Sequence, residues 1–182
     1  MSRPAPRGYT LAEMLAVCAV LSIAAMVAIP SAQPVDESRA DAAAGEVVLA
    51  LRFARDEALR TGEWRMFTCE PQRNQVRVFG LGADGASLAE QMVPHPGNRQ
   101  PYAVALAAAP AGGHVALARC SFVFAAGGTA MSVAFDGAGN PVRGTGSATV
   151  RAQPLQSGTI VLGTGNATRT VAVNAAGRVT AS

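Results

Sequence analysis

The order of apolar and polar positions divides the chain into three stretches. From Met14 to Ile29 there is no charged residue, and residues 11–29 form a 19-residue apolar run whose polar content past Glu13 is Cys18 and Ser22. As a helix it would be roughly 28 Å long, just enough for a bilayer core of about 30 Å. A polar entry with Pro34, Asp36, Glu37 and Ser38 comes next, and then a segment rich in Ala, Glu, Arg and Leu from about Asp36 to Arg60. There Val47, Val48, Leu51, Ala54, Ala58 and Leu59 fall near spacings of three and four, which predicts an amphipathic helix with one core-facing stripe. Arg52, Arg55, Asp56, Glu57 and Arg60 take the other face, with Asp56 and Arg60 spaced for an i,i+4 ion pair, and Gly62 is the stop. The two apolar segments together predict a helix of about 50 residues, roughly 75–80 Å long and bent near the prolines.

From Trp64 the period changes. Residues 64–69, 75–79, 102–107, 121–125, 131–135, 148–151, 159–162 and 168–173 read as short strands punctuated by Gly, Pro, Asn and Asp, the pattern of an antiparallel sandwich. Residues 80–101 read as a loop with one short strand at 88–93. The expected class is α+β: a long N-terminal helix, half membrane-spanning and half amphipathic, packed on an antiparallel β-sandwich head. The expected divisions are 1–8, a leader; 9–30, the membrane helix; 31–62, the amphipathic helix; and 63–182, the head.

Two features separate the apolar run from an ordinary secretion signal. The candidate scissile glycine, Gly8, precedes the run instead of coming after it, and the run is longer than a signal core. Glu13 sits within the hydrophobic segment, where a lone carboxylate costs about 2.5–3.5 kcal/mol at mid-helix and less near the interface. A charge kept at that cost is a functional candidate.

The stretch Gly8-Tyr9-Thr10-Leu11, Glu13 and the apolar helix resembles the class III leader of type IV pilins and type II secretion pseudopilins. Pro30 falls where pilins carry a helix-bending proline. Leu51 to Gly62 is similar to the "LRxARSEAIRRG" stretch of the GspH/FimT branch of minor pilins and pseudopilins. Phe135 to Asn140 resembles that branch's "FDxxGR" turn, and Gly177-Arg178-Val179 its closing "GRV". Residues 80–125 carry little of the likeness. The resemblance implies cleavage by prepilin peptidase between Gly8 and Tyr9, and N-methylation of Tyr9. It also implies an anchor in the bacterial inner membrane with a periplasmic head, and assembly with major and other minor pilins or pseudopilins through Glu13, which would pair with a neighbour's cationic N-terminus. A plain signal peptide or signal anchor is the alternative for the leader.

Charge separates the halves. Residues 9–90 hold seven Arg against eleven acids, whereas residues 91–182 hold six Arg against Asp136 alone; there is no Lys. A branch of the resembled family binds DNA through a basic C-terminal region with a Gly-Arg-x-Arg pattern. Here Gly177 and Arg178 are present but Thr180 stands where the second Arg would be. DNA binding through Arg143, Arg151, Arg169 and Arg178 is thus the alternative to a purely structural subunit. Cys69 and Cys120 can pair if the region is exported; they match no zinc spacing, and Cys18 lies in the apolar run.

Other signals are weaker. Residues 80–85 formally match GxGxxG, but residues 87–97 are short of a helix and broken by prolines, so they cannot supply the helix N-terminus a dinucleotide needs, and a loop is expected. His95 and His114 are flanked by loop residues and accompany no nucleophile motif. Asp136 with Asn140 lacks the further oxygens of a Ca²⁺ loop. No cofactor, metal or catalytic residue is expected, and an enzyme is the most distant reading.

Overall fold

The computed structural model describes residues 10–28, 33–82, 85, 91–108 and 114–182, with side chains of 25–28 and 33–34 left aside. The chain divides into two units, residues 1–32 and 33–182. The first holds helix α1 (Leu11–Ala28). The second opens with α2 (Gln33–Thr61) and continues, among the described residues, through eleven strands. Residues 29–32, where the bend was expected, lie outside the described residues.

The strands are β1 (Trp64–Glu70), β2 (Gln75–Gly82), β3 (Gln91–Met92), β4 (Ala103–Ala105), β5 (Ala116–Phe124), β6 (Thr129–Ala130), β7 (Ser132–Phe135), β8 (Pro141–Val142), β9 (Leu155–Thr164), β10 (Ala167–Asn174) and β11 (Val179–Ala181); a single helical turn, α3 (Ala148–Arg151), precedes β9. They form two antiparallel sheets. One runs β3-β2-β1-β7-β8 with β4 also paired to β2, and the other runs β11-β10-β9-β5-β6. The chain passes from the second sheet to the first at Met131, between β6 on β5 and β7 on β1.

The inner faces meet in one core. Phe67 of β1 lies edge-on to Phe122 of β5, with ring centroids 6.2 Å apart. A disulfide joins Cys69 of β1 to Cys120 of β5, linking one sheet to the other. Asn74, in the β1–β2 turn, adds a polar link: its Nδ2 donates to the Val115 carbonyl at 2.7 Å and its Oδ1 accepts from the Leu117 amide at 2.8 Å.

Helix α2 packs against strands of both sheets. Ala40, Ala43, Ala44, Val47, Ala50, Leu51, Ala54 and Ala58 are buried. Alanine dominates that face, so the helix axis lies close to the strands without leaving voids. The expected stripe holds except at Leu59, which is 51% exposed. Leu59 lies in the last turn, and instead of entering the core it covers the backbone at Gly139. The ion pair also differs from expectation. Arg60 pairs with Glu57, through bonds of 2.8 and 2.6 Å, and not with Asp56. Glu at i,i+3 offers both oxygens to the guanidinium fork, a geometry stronger than a single contact.

Two further expectations are corrected. Residues 148–151 form α3 and not a strand. Thr149 and Val150 carry the strand signal, but the segment closes its own backbone bonds, Arg151 N–H to the Ser147 carbonyl at 2.8 Å among them. Gly80 and Gly82 belong to β2 instead of a loop. A Cβ at Gly80 would lie 3.0 Å from the guanidinium of the buried Arg65 and 3.2 Å from Gln91 Cβ, so glycine leaves room for Arg65 beside the strand.

Tyr102 is 4% exposed, stacked on Phe53 at 4.7 Å and against His95 at 4.6 Å. Burial first, then the nearby Glu46 carboxylate, push its phenol up to about 12. The unfolded phenol titrates near 10. The folded state holds the proton more tightly, so this contribution is complete below about pH 10 and is lost as pH rises toward 12. The chain has no Lys, and its other tyrosine is Tyr9. Alkaline denaturation therefore reports Tyr102 with little interference. Tyr102→Phe is expected to flatten the fall in stability between about pH 10 and 12, measured by urea melts at successive pH values; an unchanged slope would refute this account.

Candidate functional site

Thr10 immediately precedes helix α1. Its carbonyl accepts from the Glu13 and Met14 amides at 3.1 and 3.2 Å, and its hydroxyl accepts from the Glu13 amide at 3.3 Å. Thr10 is thus the N-cap and Glu13 the third helical residue, the spacing of a capping box. The placement puts the one carboxylate of α1 in its first turn, where the helix dipole favours negative charge. Glu13 shares a face with Ala16, Val17, Val20 and Leu21. Every described side chain of α1, through Ala24, is exposed, with Leu11 at 79% and Ile23 at 67%. Among the described residues no helix is long and apolar enough to cross a membrane. The ends of the expected anchor, Gly8-Tyr9 and Ile29-Pro30, lie outside the described residues.

The head motifs at residues 51–62, 135–140 and 177–179 meet in space. Arg55 of α2 donates from Nε to the Gly139 carbonyl at 3.2 Å. A Cβ at Gly137 would lie 2.4 Å from the Gly62 carbonyl oxygen, and one at Gly139 2.8 Å from the Leu59 side chain. Gly177, in the β10–β11 turn, lies with its Cβ position 3.5 Å from Arg55 Nε and 3.5 Å from Pro141. Side chains rigidify both turns: Asp136 Oδ1 accepts from the Ala138 and Asn140 amides at 2.9 and 2.8 Å, and Asn174 Oδ1 from the Ala176 and Arg178 amides at 3.0 and 2.9 Å. The end of α2 is therefore seated between two hairpin turns. The Asp136 carboxylate is committed to its own turn, which accounts for the Asp-Asn pair without a cation.

This close seating makes a graded prediction. Gly139 has φ +76° and a crowded Cβ position, whereas Gly127 has φ +84° and open space around it. Gly127→Ala carries backbone strain alone, about 1 kcal/mol, while Gly139→Ala adds the clash and is expected to lose about 2–3 kcal/mol. Equal losses in denaturant melts would show that the seat is not tight.

The four arginines considered for DNA occupy separate places. Arg143 and Arg151 are neighbours through the backbone, since Gly144 N–H donates to the Arg151 carbonyl at 2.8 Å. The Arg143 guanidinium lies over the Phe124 ring, 5.7 Å from its centroid. Arg169 forms a two-point pair with Asp41 of α2, which holds that carboxyl below its usual range. Arg178 lies in the β10–β11 turn, beside a cleft that it shares with Arg52 and Arg55. The basic half of the sequence is thus partly neutralised by the acidic half, a pairing across 128 positions that no local pattern reveals.

His95 is part of a turn, its Nδ1 accepting from the Gly97 amide at 3.0 Å. Among the described residues, no group of three His, Cys, Asp or Glu side chains could hold a metal ion.

No protein-family model matches the chain, and no curated protein matches it in sequence. Solved structures do match. Two structures of the minor pseudopilin EpsH from the type II secretion system of Vibrio cholerae align with TM-scores of 0.53 and 0.52, at 11% and 12% identity. They cover 80% and 79% of this chain and 97% and 96% of theirs. The type IV minor pilin FimU of Pseudomonas aeruginosa aligns with a TM-score of 0.46 at 15% identity, covering 84% of this chain and 92% of its own. The alignment takes in nearly all of the solved EpsH chains, and this chain has the fold of a minor pseudopilin.

Proposed function

We propose that the chain is a minor pilin-like subunit of a type II secretion pseudopilus or a type IV pilus, a structural component and not an enzyme. The observation that carries this reading is α1: an apolar helix capped by Thr10, with one carboxylate in its first turn and every described side chain exposed, preceding a head of minor-pseudopilin fold. Such a helix needs a covering of lipid or of other helices, because each large apolar side chain left in water forgoes about 1.5–3 kcal/mol. Residues 9–30 anchor the precursor once in the inner membrane with the head in the periplasm, an oxidising compartment in which the Cys69–Cys120 bond persists. Prepilin peptidase cuts between Gly8 and Tyr9, Tyr9 is N-methylated, and α1 then leaves lipid for a bundle of like helices. The subunit joins other pilins or pseudopilins at the tip or initiation complex, supporting secretion or pilus biogenesis.

The test is the mass of the N-terminal peptide from the membrane-inserted protein. This reading expects a chain beginning at methylated Tyr9. A chain that keeps residues 1–8, or one cut after the apolar run, would contradict it.

A further inference from the structure

Among the described residues, strand β11 is an edge strand of the second sheet, with β10 its one strand partner. Thr170 and Ser182 exchange both backbone bonds, at 2.8 and 3.0 Å, and the Asn174 amide donates to the Arg178 carbonyl at 3.1 Å. Because such pairs alternate along an antiparallel ladder, the amides of Val179 and Ala181 point away from β10. They face a cleft of about 740 Å³ with Arg52, Arg55 and Asp56 on one wall and residues 176–181 on the other. Arg52 reaches the outward Val179 carbonyl at 3.4 Å, Arg55 is held by Gly139, and Arg178 is exposed. Among the described residues, none of these three guanidinium groups forms an ion pair with a carboxylate.

We propose that this cleft is a docking groove for an extended, acidic segment of a partner protein. The segment adds as a further strand on β11: its carbonyls accept from the Val179 and Ala181 amides, while its carboxylates meet Arg52 and Arg178. An edge with outward amides selects a peptide backbone, and three arginines against Asp56 select its charge. Nucleic-acid phosphates would meet the charge and accept from the edge amides, but they offer no donors to the outward carbonyls of the edge, which a peptide backbone does. A second copy of β11 would bring arginine against arginine. The proposal stands apart from the filament reading, because it needs only the head as described.

The test uses the full chain in detergent micelles and an eight-residue peptide alternating glutamate with valine or threonine, blocked at both ends. Binding is expected to protect the Val179 and Ala181 amides from hydrogen exchange. It is expected to weaken about tenfold in a variant carrying Arg52→Ala and Arg178→Glu, and to stay unchanged in Arg119→Ala. A peptide of the same sequence with N-methylated backbone should fail to bind. No binding at about 1 mM peptide, equal binding of the N-methylated peptide, or tighter binding of a twelve-nucleotide single strand would each overturn the proposal. Far-ultraviolet circular dichroism on each variant separates loss of the groove from loss of the fold.

Discussion

Glu13→Ala is expected to leave membrane insertion and leader cleavage intact and to abolish incorporation into filaments. On the proposed reading, Tyr9 of the mature subunit carries a cationic amine and Glu13 of a neighbour carries the opposite charge. Each is costly alone in a low-dielectric bundle, and together they offset two burial costs. Removing one partner leaves the other charge uncompensated, which costs about 3–5 kcal/mol, a factor of about a hundred to several thousand in subunit addition. The helix itself survives, because Thr10 still caps it through its hydroxyl and carbonyl. Insertion improves, since the carboxylate opposes it. Glu13→Gln preserves size and hydrogen bonding but not charge, so it too should fail. Recovery of either variant in filaments at the wild-type level would refute the charge-pairing role, whereas loss of insertion would show that Glu13 acts earlier.

The second large effect belongs to the disulfide. Cys69 and Cys120 are 51 positions apart and bridge strands of different sheets. The chain-entropy model assigns closure of a loop that long about 4 kcal/mol of stability. A domain of this size loses about 2–4 °C in melting temperature per kcal/mol. A variant with Cys69→Ser and Cys120→Ser is thus expected to melt about 8–16 °C lower, by differential scanning calorimetry, while keeping its strand content. A drop of under about 2 °C would show that packing of Phe67 on Phe122 and the Asn74 bonds already hold the sheets together without it.

Much of the architecture was legible along the chain. The alanine and valine spacing of α2 identified its buried face, because helical period and burial are coupled wherever one side packs on sheets. Leu59 departed from that face because its turn ends at Gly62, where the chain folds back and the 136–140 turn replaces the core as neighbour. Strand β9 extends beyond residues 159–162 on both sides, although Gly158 and Gly163 read as interruptions. Gly158 is a packing glycine: a Cβ there would stand 2.5 Å from the Phe122 ring. Met131 reads as the start of a single strand, yet it is where the chain changes sheets. The period of two is the same on either side of such a corner, so no local signal marks it.

The site was legible in a different way. The leader-like residues were visible as a pattern, and α1 adds the Thr10 cap, whose spacing to Glu13 was present in the sequence. Motifs in α2 and in two turns were visible as separate strings; their convergence on Arg55 and Gly139 required the fold. The arginines illustrate the limit most clearly. A count by halves made the C-terminal region basic, but Asp41 pairs with Arg169, and Arg178 joins two arginines of the first half around one cleft. Charge in a folded chain belongs to a surface, and surfaces are assembled from distant positions.

The central claim is that this chain assembles with other pilin-like subunits through its apolar helix. The most direct measurement is crosslinking of the native protein in its own membranes, with the captured partners identified by mass spectrometry. The account predicts recovery with a secretion pseudopilin set, or with a major pilin and other minor pilins, with crosslinks mapping to residues 9–30. Recovery alone, or only with proteins that form no filament, would contradict it.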